Sequence, residues 1–289
     1  MKQISIASLE RFADIKAHTF RAWEQRYSFL KPHRTRTNYR YYTVSQLSEL
    51  LDIALLKRSG YKISTIDKLG SLTIKKIVQE IEDVEVRKTR EINLLIVSMY
   101  LGNIEEFEDI LDKCVYYWGI DHTIQDIIVP FLDLVQLSSY KDTSNEVHFV
   151  VTALRKKLIS GIENTKPLAK VGRKALFFLP QNEHFDLVLL YMNYIAKQLG
   201  YTTLYMGTNI PVENLKEAIA QKSPDLVLTY LTQKGHFSIQ KLSNLLGETL
   251  PPSTLVITGL ARLPKDTLGS NVKFMEHNTL GEYLRGLLP

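Results

Sequence analysis

The chain has 289 residues, enough for two or three domains, and its 45% hydrophobic and 23% charged content is that of a globular rather than a disordered protein. Its one cysteine, Cys114, excludes an internal disulfide and a cysteine-rich zinc site. The net charge of +5 is unevenly spread: residues 1–62 carry 12 Lys and Arg against 5 Asp and Glu, which leaves −2 for the other 227 residues. A basic stretch on a near-neutral body is the pattern of a polyanion-binding module. No signal pattern and no apolar run of bilayer length is visible, so a cytoplasmic protein with no membrane partner is expected.

Residues 5–13 suit a short helix with Leu9, Phe12 and Ala13 on one side, and Asp14-Ile15-Lys16 a tight turn. In the next helix Phe20, Trp23 and Tyr27 fall at i, i+3 and i+7, a core-facing stripe. Arg21 and Gln25 then point the other way, toward solvent or DNA. The basic, aromatic run from Lys31 to Tyr42 reads as strand, turn and strand carrying Arg34, Arg36, Tyr39, Arg40 and Tyr42. Asn38 at its tip tolerates a positive φ. A helix followed by such a hairpin is a groove-entering element with a wing to hold phosphates. Thr43-Val44-Ser45-Gln46 is a capping box that opens a helix with Leu47, Leu50, Leu51, Ala54 and Leu55 inward. Gly60 ends that helix, and Ser64 opens a further short one.

From residue 73 to about 165 the pattern is helical, with Pro130 at a break or kink, and four or five helices would form a bundle. The aromatic run Tyr116-Tyr117-Trp118 is expected to pack inside it. Lys166-Pro167, with Gly172 close by, reads as a linker. Beyond residue 173 the period changes. Short apolar strands over 175–179, 202–205, 226–231, 254–258 and 272–275 alternate with helical stretches over 186–199, 212–222, 237–247 and from Thr279. Strands alternating with helices imply a doubly wound parallel sheet. The expected fold class is thus multidomain α and α/β. A winged helix-turn-helix spans 1–70, a helical bundle 73–165, and a Rossmann-like (flavodoxin-like) parallel sheet domain 172–289.

The N-terminal segment resembles the MerR family of bacterial transcription regulators. The motifs that carry the likeness are Thr19-Phe20-Arg21-Ala22-Trp23-Glu24 for the helix, Leu30-Lys31-Pro32 for its exit and Asn38-Tyr39-Arg40-Tyr41-Tyr42 for the wing. Phe20 and Asn38 depart from the family's Leu and Gly. The resemblance implies contact with duplex operator DNA by Thr19, Arg21, Gln25 and Arg26 from the helix and by Arg34, Arg36, Tyr39, Arg40 and Tyr42 from the wing. It also implies DNA bending or twisting at a promoter, with RNA polymerase as a further partner. One module of this size contacts too few base pairs for useful specificity, so a homodimer or homotetramer is expected.

The rest of the chain resembles the cobalamin-binding sensor half of the light-responsive MerR-like repressors, a helical bundle followed by a Rossmann-like domain. Ile127–Phe131 and Val147–Leu158 fit the bundle; Leu179 to Gly200 and Tyr205–Pro211 fit the sheet. In that family a Trp and a Glu-His pair cap the corrin, and a Glu-x-His-x-x-Gly pattern supplies the cobalt-ligating His. Here Leu137, Val147 and His148 fall on the capping positions, and Glu183-His184-Phe185-Asp186-Leu187-Val188 on the ligating pattern. Phe185 stands at the His position, His184 comes one residue early, and Val188 replaces the Gly that leaves room for the nucleotide tail. Thr229-Tyr230-Leu231 keeps a Ser-x-Leu-like hydroxyl, and Thr258-Gly259 half of a Gly-Gly pair.

These departures predict a cobalamin-binding-like region that has lost cobalamin, with His148, Glu183, His184, Thr229 and Gly259 as ligand-binding candidates. Two alternatives remain open: a genuine cobalamin-dependent, light-responsive repressor, and a regulator controlled by a protein partner with no small ligand. No Gly-x-Ser-x-Gly, phosphate-binding Gly loop or zinc-ligand spacing is present, so no enzyme, catalytic residue or bound metal is expected.

Overall fold

The computed structural model describes residues 2–135, 145–167, 169–231, 254–259, 272–275 and 280–286. Its contacts divide into two compact units, residues 1–153 and 154–289.

The first unit opens with β1 (Ile4–Ser5), α1 (Ile6–Ala13) and α2 (Ala17–Arg26). The Ser5 hydroxyl accepts the Ser8 amide and so caps α1, and Asp14, in the left-handed region at φ 52°, ends it. β2 (His33–Arg34) and β3 (Arg40–Tyr42) form an antiparallel hairpin, with β1 on the far side of β3. The capping box is present: Thr43 Oγ1 accepts the Gln46 amide, and Gln46 Oε1 accepts that of Thr43. It starts α3 (Val44–Arg58), which stops before Gly60 at φ 93°. The next helix, α4 (Ile63–Ile66), begins after Lys62 rather than at Ser64. Its first turn is closed by the Lys62 carbonyl, which accepts the Thr65 and Ile66 amides, and no side chain caps it.

The bundle follows as α5 (Ser71–Glu80), α6 (Val84–Leu101), α7 (Ile104–Thr123), a π-helical turn over Ile124–Ile128, α8 (Val129–Val135) and α9 (Asn145–Asn164). Phe107 anchors its core, with Phe131 and Phe149 edge-on at 5.7 and 5.6 Å. Cys114 is fully buried there, and burial pushes its thiol up to about 12. The irregularity expected at Pro130 takes the form of the π-helical turn just before it, since proline has no N–H to continue the ladder. A sharper break lies at Gly119, whose φ of 74° and ψ of 168° are non-helical. The aromatic run before it departs from expectation, because helical spacing carries the buried stripe of Phe107, Ile110, Leu111 and Cys114 on toward Trp118 and leaves Tyr116 and Tyr117 off it. Tyr116 is 84% and Tyr117 64% exposed, and only Trp118 is half-buried, with the Arg87 guanidinium 5.7 Å from its ring centroid. The run ends a straight segment of α7 and is not roofed by another helix of the described bundle.

The second unit carries a parallel sheet in the order β5-β4-β6-β7-β8. Its strands are β4 (Lys174–Pro180), β5 (Thr202–Ile210), β6 (Leu226–Leu231), β7 (Thr254–Gly259) and β8 (Val272–Met275). The helices are α10 (Leu187–Gln198), α11 (Val212–Lys222) and α12 (Leu280–Gly286). The stretch 237–247, read as a helix from the sequence, lies outside the described residues. β4 and β6 are apolar almost without interruption because both faces are covered. One face packs Leu176, Phe178, Val227, Leu231 and Ile257 on Leu215 and Ile219 of α11. Gly200, at φ 89°, turns the chain from α10 into β5, and a Cβ there would collide with the Ala169 carbonyl oxygen.

Asp52 is the misfit among the apolar residues of α3, and burial raises its carboxyl to about 6 despite Lys75 and Arg90 nearby. The folded state therefore holds this proton more tightly than the unfolded chain, whose aspartate titrates near its ordinary value of 3.8. Stability associated with the group is full below that value and is lost as pH rises toward 6 and beyond. Asp52→Asn should raise stability at pH 7.5 by about 1–3 kcal/mol and leave it nearly unchanged at pH 4. Thermal melts of the full chain at the two pH values check this.

Candidate nucleic-acid interface and sheet-edge site

Helix α2 is fixed from behind by its aromatic face. Phe20 and Trp23 are buried and meet edge-on at 5.6 Å, Phe29 meets Trp23 at 5.8 Å, and Lys57 of α3 lies over the Trp23 ring. Tyr27, the third member of the expected stripe, is only half-buried and caps the helix end. With that face anchored, Arg21, Gln25 and Arg26 are exposed and Thr19 is half-buried. The exit of α2 is tied to α4, because Asp67 Oδ1 accepts both the amide and the hydroxyl of Ser28, at 2.9 and 3.1 Å.

The wing tip is held by its own polar groups. Asn38 sits at φ 64°, as its position suggested, and its Oδ1 accepts from Arg34 Nη1 at 2.8 Å. Thr35 closes the turn by exchanging bonds with Asn38 and Tyr39. Arg34 thus shapes the tip as well as charging it. Arg36 is exposed and Tyr39 is 73% exposed.

Tyr42 is a correction to the sequence reading, which placed it among the DNA contacts. Its side chain is fully buried, and its hydroxyl donates to Glu24 Oε1 at 2.6 Å. Tyr42 shares its strand face with Arg40, two residues away, but lies opposite the buried Ile4 of β1, where the small sheet is covered. Burial and the adjacent Glu24 carboxylate both push the phenol's ionisation upward, so it stays a donor. Glu24 also accepts Arg40 Nε on its other oxygen at 3.1 Å. The sequence singled Glu24 out with its Trp23 neighbour but gave it no role.

In the second unit the chain starts at β4 and builds outward in both directions, so the sheet's switch point lies between β4 and β6. In such sheets the ligand crevice opens beyond the carboxyl ends of the strands at that point. Residues 181–186 occupy this position and are strongly held. Asn182, at φ 71°, donates its amide to Asn209 Oδ1 at 2.9 Å, and the Asn209 amide donates to the Glu183 carbonyl at 3.2 Å. Asp186 is buried. Its Oδ1 accepts from Arg155 Nη2 at 2.7 Å and Nε at 3.1 Å, and its Oδ2 lies 3.4 Å from the Tyr205 hydroxyl. Burial, reinforced by that carboxylate, raises the Tyr205 phenol and keeps it protonated. No motif marks this trio, whose members are far apart in the chain.

Among the ligand-binding candidates, Glu183 is buried, His184 one residue on is exposed, and Phe185 and Val188 are half-buried. His148 is exposed on α9. Thr229 and Gly259 lie on adjacent strands, where Thr229 pairs with Ile257 and Gly259 with Leu231. The hydroxyls of Thr229 and Thr258 are buried and have no hydrogen-bond partner among the described residues. The pleat puts them on opposite faces of the sheet. Leu137 and the side chain of Val147 lie outside the described residues. Among those described, no group of three His, Cys, Asp or Glu could hold a metal ion.

Removing Asp186 would strand a partly buried guanidinium, so Asp186→Ala should cost about 1–3 kcal/mol, a range reduced by the solvent that reaches Arg155. In a double-mutant cycle with Arg155→Met the two losses should fall short of additivity by about 1 kcal/mol. Urea unfolding followed by tyrosine fluorescence measures both.

Three comparisons bear on this geometry. Residues 4–71 match the sequence profile "MerR HTH family regulatory protein". Two Myxococcus xanthus proteins are similar over most of the chain. The HTH-type transcriptional repressor CarA is 25% identical over 78% of this chain and 75% of its own length, and the HTH-type transcriptional repressor CarH is 25% identical over 78% and 77%. Among solved structures, the monomethylamine corrinoid protein of Methanosarcina barkeri superposes with a TM-score of 0.52 at 13% identity, covering 67% of this chain and 96% of that one. That likeness shows a shared fold for the helical and parallel-sheet region. Residues 4–71 are therefore a MerR-type helix-turn-helix domain, in a chain similar over three quarters of its length to two transcriptional repressors.

Proposed function

We propose that the protein is a sequence-specific transcription regulator that binds duplex operator DNA as a homodimer or higher homo-oligomer. Its C-terminal region serves as a sensor or oligomerisation module without cobalamin. The observation that carries the reading is the MerR-type domain itself, which leaves Arg21, Gln25, Arg26, Arg34, Arg36 and Tyr39 exposed while its aromatic residues are buried behind them. Arg21 and Thr19, with Gln25 and Arg26, act from α2 in the major groove, and Arg34, Arg36, Tyr39 and Arg40 grip phosphates. RNA polymerase at the same promoter is a further partner. The similarity to repressors argues against an enzyme. No described helix is long and apolar enough to cross a membrane.

The residues beyond β4 do not fit an axially ligated corrin. His184 is exposed, Phe185 takes the next position, and the Asp186 carboxylate is already committed to Arg155 and Tyr205. Retained cobalamin binding is the second reading, and one observation favours it. The hydroxyls of Thr229 and Thr258, on opposite faces of the sheet, are buried without a hydrogen-bond partner among the described residues, and a polar ligand group that reached either one would satisfy it.

DNA affinity should fall steeply with salt, by about 0.9 log units per log unit of salt for each phosphate neutralised, and should vanish when residues 1–71 are deleted. Arg21→Ala should weaken operator binding by about 1–3 kcal/mol and relax sequence preference, whereas Arg40→Ala should weaken binding to all sequences alike. Fluorescence anisotropy across a salt series measures these, and full binding by the truncated chain would refute the assignment. Isothermal titration with hydroxo- and adenosylcobalamin should show no binding. Micromolar or tighter binding that His184→Ala abolishes would establish the second reading instead.

A further inference from the structure

A carboxylate on the DNA-reading face of a basic domain is unexpected, because it repels the phosphates that the domain attracts. Glu24 is such a group, on α2 between the exposed Arg21 and Gln25. Its side chain is only 9% exposed, and both of its oxygens are used. Oε1 accepts the Tyr42 hydroxyl and Oε2 accepts Arg40 Nε. Tyr42 and Arg40 both belong to β3, the central strand of the small sheet, and Arg40 is paired with Arg34. A single carboxylate therefore links the groove-entering helix to the strand that carries the wing.

Arg40 uses only its Nε in this link. Neither of its terminal nitrogens has a hydrogen-bond or ion-pair partner among the described residues, and the side chain is 34% exposed. A guanidinium held by Nε keeps its two terminal nitrogens as a planar fork, the geometry that takes two oxygens of one phosphate. Tyr42, buried and kept protonated, fixes the carboxylate from the other side.

Building on the DNA-binding reading, we propose that Glu24 is a positioning residue for phosphate recognition. It holds Arg40 end-on for one DNA phosphate and sets the spacing between helix and wing. Its electrostatic cost toward DNA is outweighed by the contact that it orients.

Glu24→Gln decides this, because charge and position predict opposite signs. The amide is nearly isosteric and can still accept from Tyr42, so the domain remains folded, but the ion pair with Arg40 is lost and the net charge rises by one. On charge alone, binding to a mixed-sequence duplex would tighten. With Glu24 as the positioning residue, the full-length variant should bind about five- to tenfold more weakly, with a salt slope shallower by about one. Placed on Arg40→Ala, the same change should add no further weakening, since nothing is left to position. Tyr42→Phe, which keeps the ion pair and frees one carboxylate oxygen, should weaken binding by a smaller factor.

Affinity of Glu24→Gln equal to or above that of the parent, or an undiminished loss in the Arg40→Ala background, would overturn the proposal. Absence of duplex binding by the parent protein would instead refute the DNA-binding reading on which it rests.

Discussion

Helices as short as α1 and α2 are marginal in water, because nucleation costs more than a few hydrogen bonds return. They persist only where another element buries their apolar stripe: α2 packs on α1, and α1 on α3. Val44, Leu47, Leu50, Leu51, Ile53, Leu55 and Leu56 of α3 are all buried, so the helix is covered on nearly every side. Helices α1, α4, α5 and α6 all pack on it, and Lys57 at its end reaches the Trp23 ring of α2. The DNA-binding domain and the bundle helices that follow it thus share one core in the first unit. Asp52 is the cost of that sharing: packing α5 and α6 over a polar position of α3 takes its carboxylate away from water.

The two candidate sites differ in how much is committed before a ligand arrives. On the candidate DNA face the cations are spread over a helix and a hairpin, and the few internal bonds, Arg34 to Asn38 and Arg40 to Glu24, engage one nitrogen of each guanidinium group. Such an arrangement loses little entropy on meeting a phosphate backbone. At the sheet's switch point the reverse holds. Arg155 spends both Nε and Nη2 on Asp186, and the turn before it is locked to Asn209. A ligand entering there must displace strong, partly desolvated bonds or fit around them.

Much of this was legible in the sequence because it follows from periodicity and local chemistry. The box at Thr43–Gln46, the positive φ at Asn38, the extent of α11 and the places of β4, β6 and β8 all come from short-range rules, and each is found. What escaped depends on contacts between distant residues or on backbone states that composition does not encode. The non-helical φ of Gly119 is one such state, since the residue looks like any helical glycine until that angle is known. Tyr42 shares its strand face with Arg40, and only its pairing with the buried Ile4 and its bond to Glu24 separate it from the wing residues beside it. Arg155, Asp186 and Tyr205 meet only after α9, the sheet and its first crossover are assembled. The same is true of Asp67 beneath Ser28.

Cys114 gives the bundle a built-in clock. It is the chain's sole thiol, it lies in the same helix as Phe107, and its high ionisation point leaves almost no thiolate while it stays buried. An alkylating reagent can reach it only when the helices part. The speed of its modification therefore reports the frequency of opening at that one place, with no competing sulfur to obscure the signal. Comparing that speed with and without DNA would reveal whether occupancy of the winged domain tightens the helices sharing its core. The native chain can be used for this without any engineered label.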